Sequence, residues 1–136
     1  MNLQLVALDG VKLNEDIYSI ILPTASGEIG VYPGHEPLVS VLVPGTVTVR
    51  RQKSDPDSKL DHFATFGGVL EVTHDGVKVL VDEAESDISE TEVEKARQVA
   101  LKLKSEAKNQ QDLDKAQAMI DRQAVRLNVA KLRRHR

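Results

Sequence analysis

The 136 residues include no cysteine and no tryptophan, and aromatics make up only 3% of them. The first absence removes disulfide frameworks, thiolate metal sites and cysteine nucleophiles together, and it is compatible with a reducing compartment. The second means that Val, Ile and Leu must fill the core, which the 40% of hydrophobic residues suffices to build. No apolar run approaches the roughly 18 residues of a membrane-spanning helix. Met1-Asn2-Leu3-Gln4 shows no basic region leading into an apolar stretch, so no signal peptide is expected. The predicted place is the cytosol, or a membrane reached only through a partner.

The usual motifs of catalysis are missing as well. There is no G-x-x-x-x-G-K-[ST] phosphate loop, no G-x-G-x-x-G and no G-x-S-x-G elbow. His35-Glu36 runs into Pro37-Leu38-Val39, so the H-E-x-x-H zinc pattern fails. His35, His62, His74 and His135 are scattered, at spacings that do not suggest a metal site. Asp55, Asp57 and Asp61 cluster, but Leu60 stands where a calcium loop needs glycine, and a solvated hairpin tip is the better reading. An enzyme is therefore the weakest class.

What is present falls into two parts. Glycine does not occur after Gly76, nor proline after Pro56. Before that change, short β-compatible segments follow one another: Leu3–Leu8, Asp16–Leu22, Glu28–Tyr32, Leu38–Val43, Thr46–Arg51, Leu60–Thr65, Val69–Thr73 and Val77–Val81. Ser26-Gly27, Pro33-Gly34, Pro44-Gly45, Gly67-Gly68 and Asp75-Gly76 act as breakers between them, the last a preferred tight-turn pair. The polar stretch Gln52–Lys59 reads as an exposed hairpin tip.

After the change, Ser89-Glu90-Thr91-Glu92 has the form of a capping box and predicts a helix starting near Glu90. Val93, Ala96, Ala100, Leu103 and Ala107 form a narrow apolar stripe along it. Asn109-Gln110-Gln111 predicts a turn. A second helix follows from about Asp112, with Leu113, Ala116, Ile120, Ala124, Leu127 and Ala130 inward. Its acidic start (Asp112, Asp114) and basic end (Arg133, Arg134, Arg136) suit the helix dipole. The alanine-rich seam buries little area, so the pair needs the β part or a partner to stay folded. The expected fold is α+β: an N-terminal antiparallel β-sandwich or flattened barrel, residues 1–86, and a C-terminal antiparallel two-helix hairpin, residues 87–136. Residues 1–86 carry 13 acidic and 6 basic side chains, net −7, whereas residues 87–136 carry 8 and 12, net +4. Such asymmetry points to different partners for the two parts, or simply to a Lys- and Arg-rich helical tail.

The stretch Gly27-Glu28-Ile29-Gly30-Val31-Tyr32-Pro33-Gly34-His35-Glu36-Pro37-Leu38 resembles the G-E-[IL]-G-x-[LYF]-P-G-H-x-P-L signature of ATP synthase epsilon subunits. Pro44-Gly45, Gly67-Gly68-Val69-Leu70-Glu71-Val72 and Val79-Leu80-Val81-Asp82-Glu83-Ala84-Glu85 are similar to that family's next landmarks, in order, and Arg126-Leu127-Asn128-Val129-Ala130 resembles the end of its second helix. The resemblance implies a non-catalytic rotor subunit of the central stalk. It would couple the catalytic head to the membrane ring and regulate ATP hydrolysis through its hairpin. The implied partners are the gamma subunit, the c-subunit ring and, with the hairpin extended, the beta/alpha catalytic head. Glu28, Ile29, Gly30, Val31 and His35 would lie at or near the ring and gamma contacts, and Arg122, Arg126 and Arg133 would face the head. The implied location is peripheral, on the cytoplasmic face of a bacterial inner membrane or its organellar counterpart, without insertion.

Some members of that family bind ATP through an [IL]-D-x-x-R-A motif and two arginines of the second helix. Arg122 and Arg126 match the pair and share a helical face. The first-helix motif does not match. Thr91-Glu92-Val93-Glu94-Lys95-Ala96 places lysine where arginine belongs, Val93-Glu94-Lys95-Ala96-Arg97-Gln98 loses the alanine, and a frame from Ile88-Ser89 loses the acid. Lysine lacks the bidentate fork, so no ATP cofactor, or only weak binding, is expected. The plainer reading of Lys115, Arg122, Arg126 and Arg133 is a solvated basic stripe. Two rivals stay open: a free-standing adapter with a basic hairpin, and nucleic-acid binding by Lys131–Arg136. The second is disfavoured because no aromatic interleaves that tail.

Overall fold

In a computed structural model the strands are β1 (Asn2–Ala7), β2 (Gly10–Asp16), β3 (Ser19–Thr24), β4 (Gly27–Val31), β5 (Leu38–Arg50), β6 (Asp61–Thr73), β7 (Gly76–Val81) and β8 (Ala84–Glu85). Helices α1 (Glu90–Ser105) and α2 (Gln110–Arg134) follow, and a single 3-10 turn, Asp57–Lys59, sits in the polar tip. The structure describes residues 1–134, the last by its backbone alone. The expected basic contribution of the Arg134 side chain and Arg136 therefore lies outside the described residues.

The strand order is β2-β1-β7-β6-β5-β3-β4, with β8 beside β6. Two strands of 13 residues each, β5 and β6, make this one path into two layers. The first half of β5 and second half of β6 (Leu38↔Val72 to Leu42↔Gly68) join β7, β1 and β2 in one layer. The second half of β5 and first half of β6 (Thr46↔Ala64 to Val49↔Asp61) join β3, β4 and β8 in the other. Such strands bend from one sheet to the next at a corner.

The corner is where the sequence pattern and the structure part. Pro44-Gly45 and Gly67-Gly68 were expected to end strands, but they bend continuous ones, at adjacent and not opposite places along the ladder: Pro44 is opposite Phe66, Gly45 opposite Thr65 and Leu42 opposite Gly68. Glycine is required there on steric grounds. A Cβ on Gly45 would lie 2.7 Å from Pro23 Cβ, and one on Gly68 would strike the Leu80 carbonyl oxygen. The expected strand Asp16–Leu22 is also divided, because Ile17 N donates to Met1 O and Tyr18 N to Arg50 O, tying the chain to both layers as it crosses. Gly10–Asp16, not foreseen as a strand, pairs antiparallel with β1. All pairings are antiparallel except β1 with β7, which are parallel because the intervening strands carry the chain back.

Alternation explains the core. Leu3, Leu5, Leu70, Val72, Val77, Val79 and Val81 point inward from one layer and Ile20, Leu22, Val31, Val47, Val49 and Phe63 from the other. A second, smaller cluster lies outside this core: Ala64, Ile88, Val93, Val129 and Ala130, with Phe66, Val125 and Leu127 packed against it. It fixes the hairpin to the outer face of the second layer.

The helix ends follow their caps. Ser89 Oγ accepts from Glu92 N at 3.4 Å, and Asn109 Oδ1 accepts from Asp112 N at 2.8 Å, so α2 starts at Gln110, two residues before the predicted Asp112. Lys104 Nζ donates to Gln117 Oε1 at 2.8 Å, and Val93 packs with Val129 and Ala130, as antiparallel helices require. The inward stripe differs from expectation at four positions, one of them Val129, which was not expected inward and is fully buried. Leu103 is 45% exposed and Ala124 exposed, while Gln123 is buried. The reason is that α2 must face both α1 and β6, which turns Ala124 outward.

A chain ending at Ser86 is expected to unfold cooperatively, because the main core draws on no residue after Ala84. Denaturant unfolding followed by circular dichroism checks this, and a non-cooperative transition would mean that the hairpin belongs to the core.

Candidate docking surfaces

The hairpin carries its basic residues onto the sandwich. Arg122 stacks on the Phe66 ring, 3.9 Å from guanidinium carbon to centroid, and pairs with Glu83. Arg126 Nε donates to Glu85 Oε2 at 3.1 Å and its Nη1 to Gln123 Oε1 at 2.7 Å. Arg133 pairs with Asp87, and Asn128 Nδ2 donates to Thr46 Oγ1 at 2.9 Å. These contacts differ in weight. The Arg126 and Glu85 side chains are 16% and 35% exposed, whereas Asp87 is 88% exposed. Exposed pairs are worth about 0–1 kcal/mol, and a cation over a ring about 0.5–1 at an exposed site. Arg122, Arg126 and Arg133 are thus held by the sandwich rather than forming the solvated stripe that the sequence alone suggested.

The other outer face is bare and partly apolar. In register, Val41 lies opposite Val69, Val69 opposite Leu80, Leu80 opposite Val6 and Val6 opposite Val11, one row across five strands. Val41 is 65%, Val69 42%, Leu80 47% and Val11 64% exposed, and Val6 half-buried. Leu8 (86%) and Val39 (71%) extend the patch at either end. The neighbouring row, Glu71, Lys78, Gln4 and Asn14, is polar. An apolar band beside polar residues has the anatomy of a protein–protein interface. At the Val11 end, a hydrogen bond from Lys12 Nζ, 2.9 Å away, holds the Asp9 carboxyl below its usual range.

The signature stretch does not form one site. Glu28, exposed, is the second residue of β4, beside the turn from β3, while exposed His35 follows the other end of that strand. Ile29 packs against the core, the Tyr32 ring lies over Gly30, and Val31 is fully buried, its side chain in the core. His35 Nδ1–H donates to Glu36 O at 2.7 Å, an ordinary loop bond. A shallow cleft joins His35, Tyr32 and Pro37 to Met1, Val72 and His74 at the same end of the sandwich. Among the described residues no three His, Asp or Glu side chains gather as metal ligands, and no helix is long and apolar enough to cross a membrane.

The row of valines and Leu80 was not foreseen from the sequence. Its signal was present: Leu38-Val39-Ser40-Val41-Leu42-Val43 is apolar at outward as well as inward positions, which a half-solvated strand does not need.

A two-layer sandwich with one face covered by its own helical hairpin and the other apolar is the architecture of an assembly subunit. The model of the ATP synthase delta/epsilon chain β-sandwich domain matches residues 1–87. The ATP synthase epsilon chain of Herpetosiphon aurantiacus is 37% identical over 139 residues, covering 100% of this chain and 98% of its own. That of Chloroflexus aggregans is 32% identical over 134 residues, covering 97% and 93%. The chain belongs to the ATP synthase epsilon chain family. Among solved structures, a chain of the Euglena gracilis mitochondrial ATP synthase OSCP/F1/c-ring assembly superposes with a TM-score of 0.68 at 26% identity, covering 98% of this chain and 78% of that one. A chain of the Tetrahymena thermophila central stalk and c-ring structure shares the fold, with a TM-score of 0.57 at 22% identity over 98% and 96%.

Val129→Ala is expected to weaken hairpin docking by about 1–3 kcal/mol, the range for truncating a buried aliphatic side chain, because Val129 is fully buried against the sandwich. Limited proteolysis with trypsin checks it: cleavage within α2 should accelerate while the strands remain protected.

Proposed function

We propose that the chain is a non-catalytic rotor subunit of the central stalk of a proton-driven ATP synthase. The apolar row Val41–Val69–Leu80–Val6–Val11 carries the reading. It is the docking face for a gamma-type subunit. Glu28, Ile29 and His35, with the loop around Gly34, face the gamma subunit and the c-subunit ring at the sandwich's edge and end. The relatives support this assignment, since they are epsilon chains along almost their whole length. The matching Euglena chain is itself part of an assembly with F1 and a c-ring. The location that follows is peripheral, on the cytoplasmic face of a bacterial inner membrane, held through partners.

The hairpin is the regulatory part. Docked on the sandwich it leaves the catalytic head free. Extended, it would bring Arg122, Arg126 and Arg133 to an acidic surface of the beta/alpha head and brake ATP hydrolysis. Torque passes through packing and polar contacts and needs no reaction in this chain. A free-standing adapter would need a partner other than an ATP synthase, and the family membership disfavours it.

The test is Val69→Glu. A carboxylate in the middle of the row should weaken capture of a co-expressed gamma-type subunit by about thirtyfold or more, as at an interface hot spot. The exposed site leaves the sandwich folded. Undiminished capture by the folded variant would remove the apolar face from the interface. ATP is expected to bind weakly or not at all, because Arg122 and Arg126 already serve Glu83, Glu85 and Phe66 and the first-helix motif is broken. Calorimetry that found tight binding, abolished by Arg122→Ala, would contradict this.

A further inference from the structure

The acidic partners of α2 are regularly placed. Glu83, Glu85 and Asp87 alternate along an extended segment, and they meet Arg122, Arg126 and Arg133 in the same order. Residues two apart in a strand are about 6.6 Å apart, and residues four apart in a helix advance about 6 Å, so the first two pairs match in spacing. The next arginine is seven residues on, about 10.5 Å of helix, and meets the most exposed carboxylate of the three. Glu83 and Glu85 belong to the sandwich, and Asp87 follows in the short link to α1. β8 pairs with β6 through Ala64↔Glu85 and Thr65↔Ala84, which fixes Glu85 and its neighbours to the sheet.

The apolar contact beneath the strip is small. Five buried residues, two of them alanines, form its centre, with Phe66, Val125 and Leu127 partly buried against it. The three ion pairs add to that apolar contact, and their charges are the ones that the released hairpin would use.

We propose that Glu83, Glu85 and Asp87 form an internal acidic latch, which holds α2 down by occupying the arginines that an acidic partner surface would otherwise take. The latch is a stand-in for that surface. Its regulatory meaning rests on the brake proposed above, but its existence does not. Releasing the hairpin leaves the strip without its arginines beside Asp82, also acidic, so docking and partner binding exclude each other residue by residue. Added salt weakens the latch, because the pairs are partly exposed and screened. It also weakens the competing contact, so the balance between the two shifts less than either alone.

The test uses the full chain with Glu83→Gln, Glu85→Gln and Asp87→Asn combined. These changes keep size and polarity and remove only charge. Hydrogen exchange of α2 amides should be about tenfold faster in the variant, while amides of β1, β6 and β7 are unchanged. In the wild-type chain, salt should accelerate α2 exchange, and in the variant it should not. Val129→Ala serves as the control: it should accelerate α2 exchange yet keep the salt dependence. If the variant's α2 amides exchange at the wild-type rate, the latch is wrong, whatever the motor does. A second arm measures ATP hydrolysis by the assembled motor carrying the variant, where stronger inhibition is expected. Faster α2 exchange with unchanged hydrolysis would leave the latch standing and bring down the proposed brake instead.

Discussion

The pairing of β5 with β6 along almost their whole length is the interaction on which the molecule depends. The ladder runs from Leu38↔Val72 to Val49↔Asp61 and bends in the middle without losing a strand. One half of it organises each layer, so neither layer forms without it. It also presents both working surfaces. Val41 and Val69 lie on the outer side of one half, Thr46, Ala64 and Phe66 on the outer side of the other. The bend requires small residues at Gly45 and Gly68, where a Cβ meets Pro23 or the Leu80 backbone. At the corner the Gly67 carbonyl accepts from Asp82 N and the Gly45 carbonyl from Thr65 Oγ1, which avoids the penalty of orphaned polar groups.

The β/helix division, the Ser89 cap of the first helix and the family signature were legible in the residues. Turn pairs and capping boxes act locally, and a sequence displays local chemistry directly. The bent strands were not legible, because Pro-Gly and Gly-Gly ordinarily stop a strand. Only pairing with the other long strand, which continues on both sides of each pair, converts a break into a corner. The parallel meeting of β1 and β7 is equally non-local. Candidate site residues fared unevenly for the same reason. Arg122, Arg126 and Arg133 were visible as one face of a helix, but their carboxylate partners lie 39 to 46 residues away. The apolar row needs the register of five strands before it becomes a row.

Two unlike faces give the chain its proposed role. The apolar face offers area that stays favourable in salt and suits a permanent neighbour. The hairpin face combines a small apolar cluster with exposed ion pairs and a cation–π contact, each worth little alone. A contact of that kind is strong enough to be populated and weak enough to be exchanged. Permanent attachment on one side and reversible attachment on the other are what a regulated rotor subunit needs.

The most direct measurement is hydrogen exchange on the full chain, alone and bound to a gamma-type subunit. New protection is expected only in β1, β2, β7, the first half of β5 and the second half of β6, where the apolar row lies. Protection appearing instead over Thr46, Ala64 and α2, with the row left unchanged, would contradict the proposed docking face.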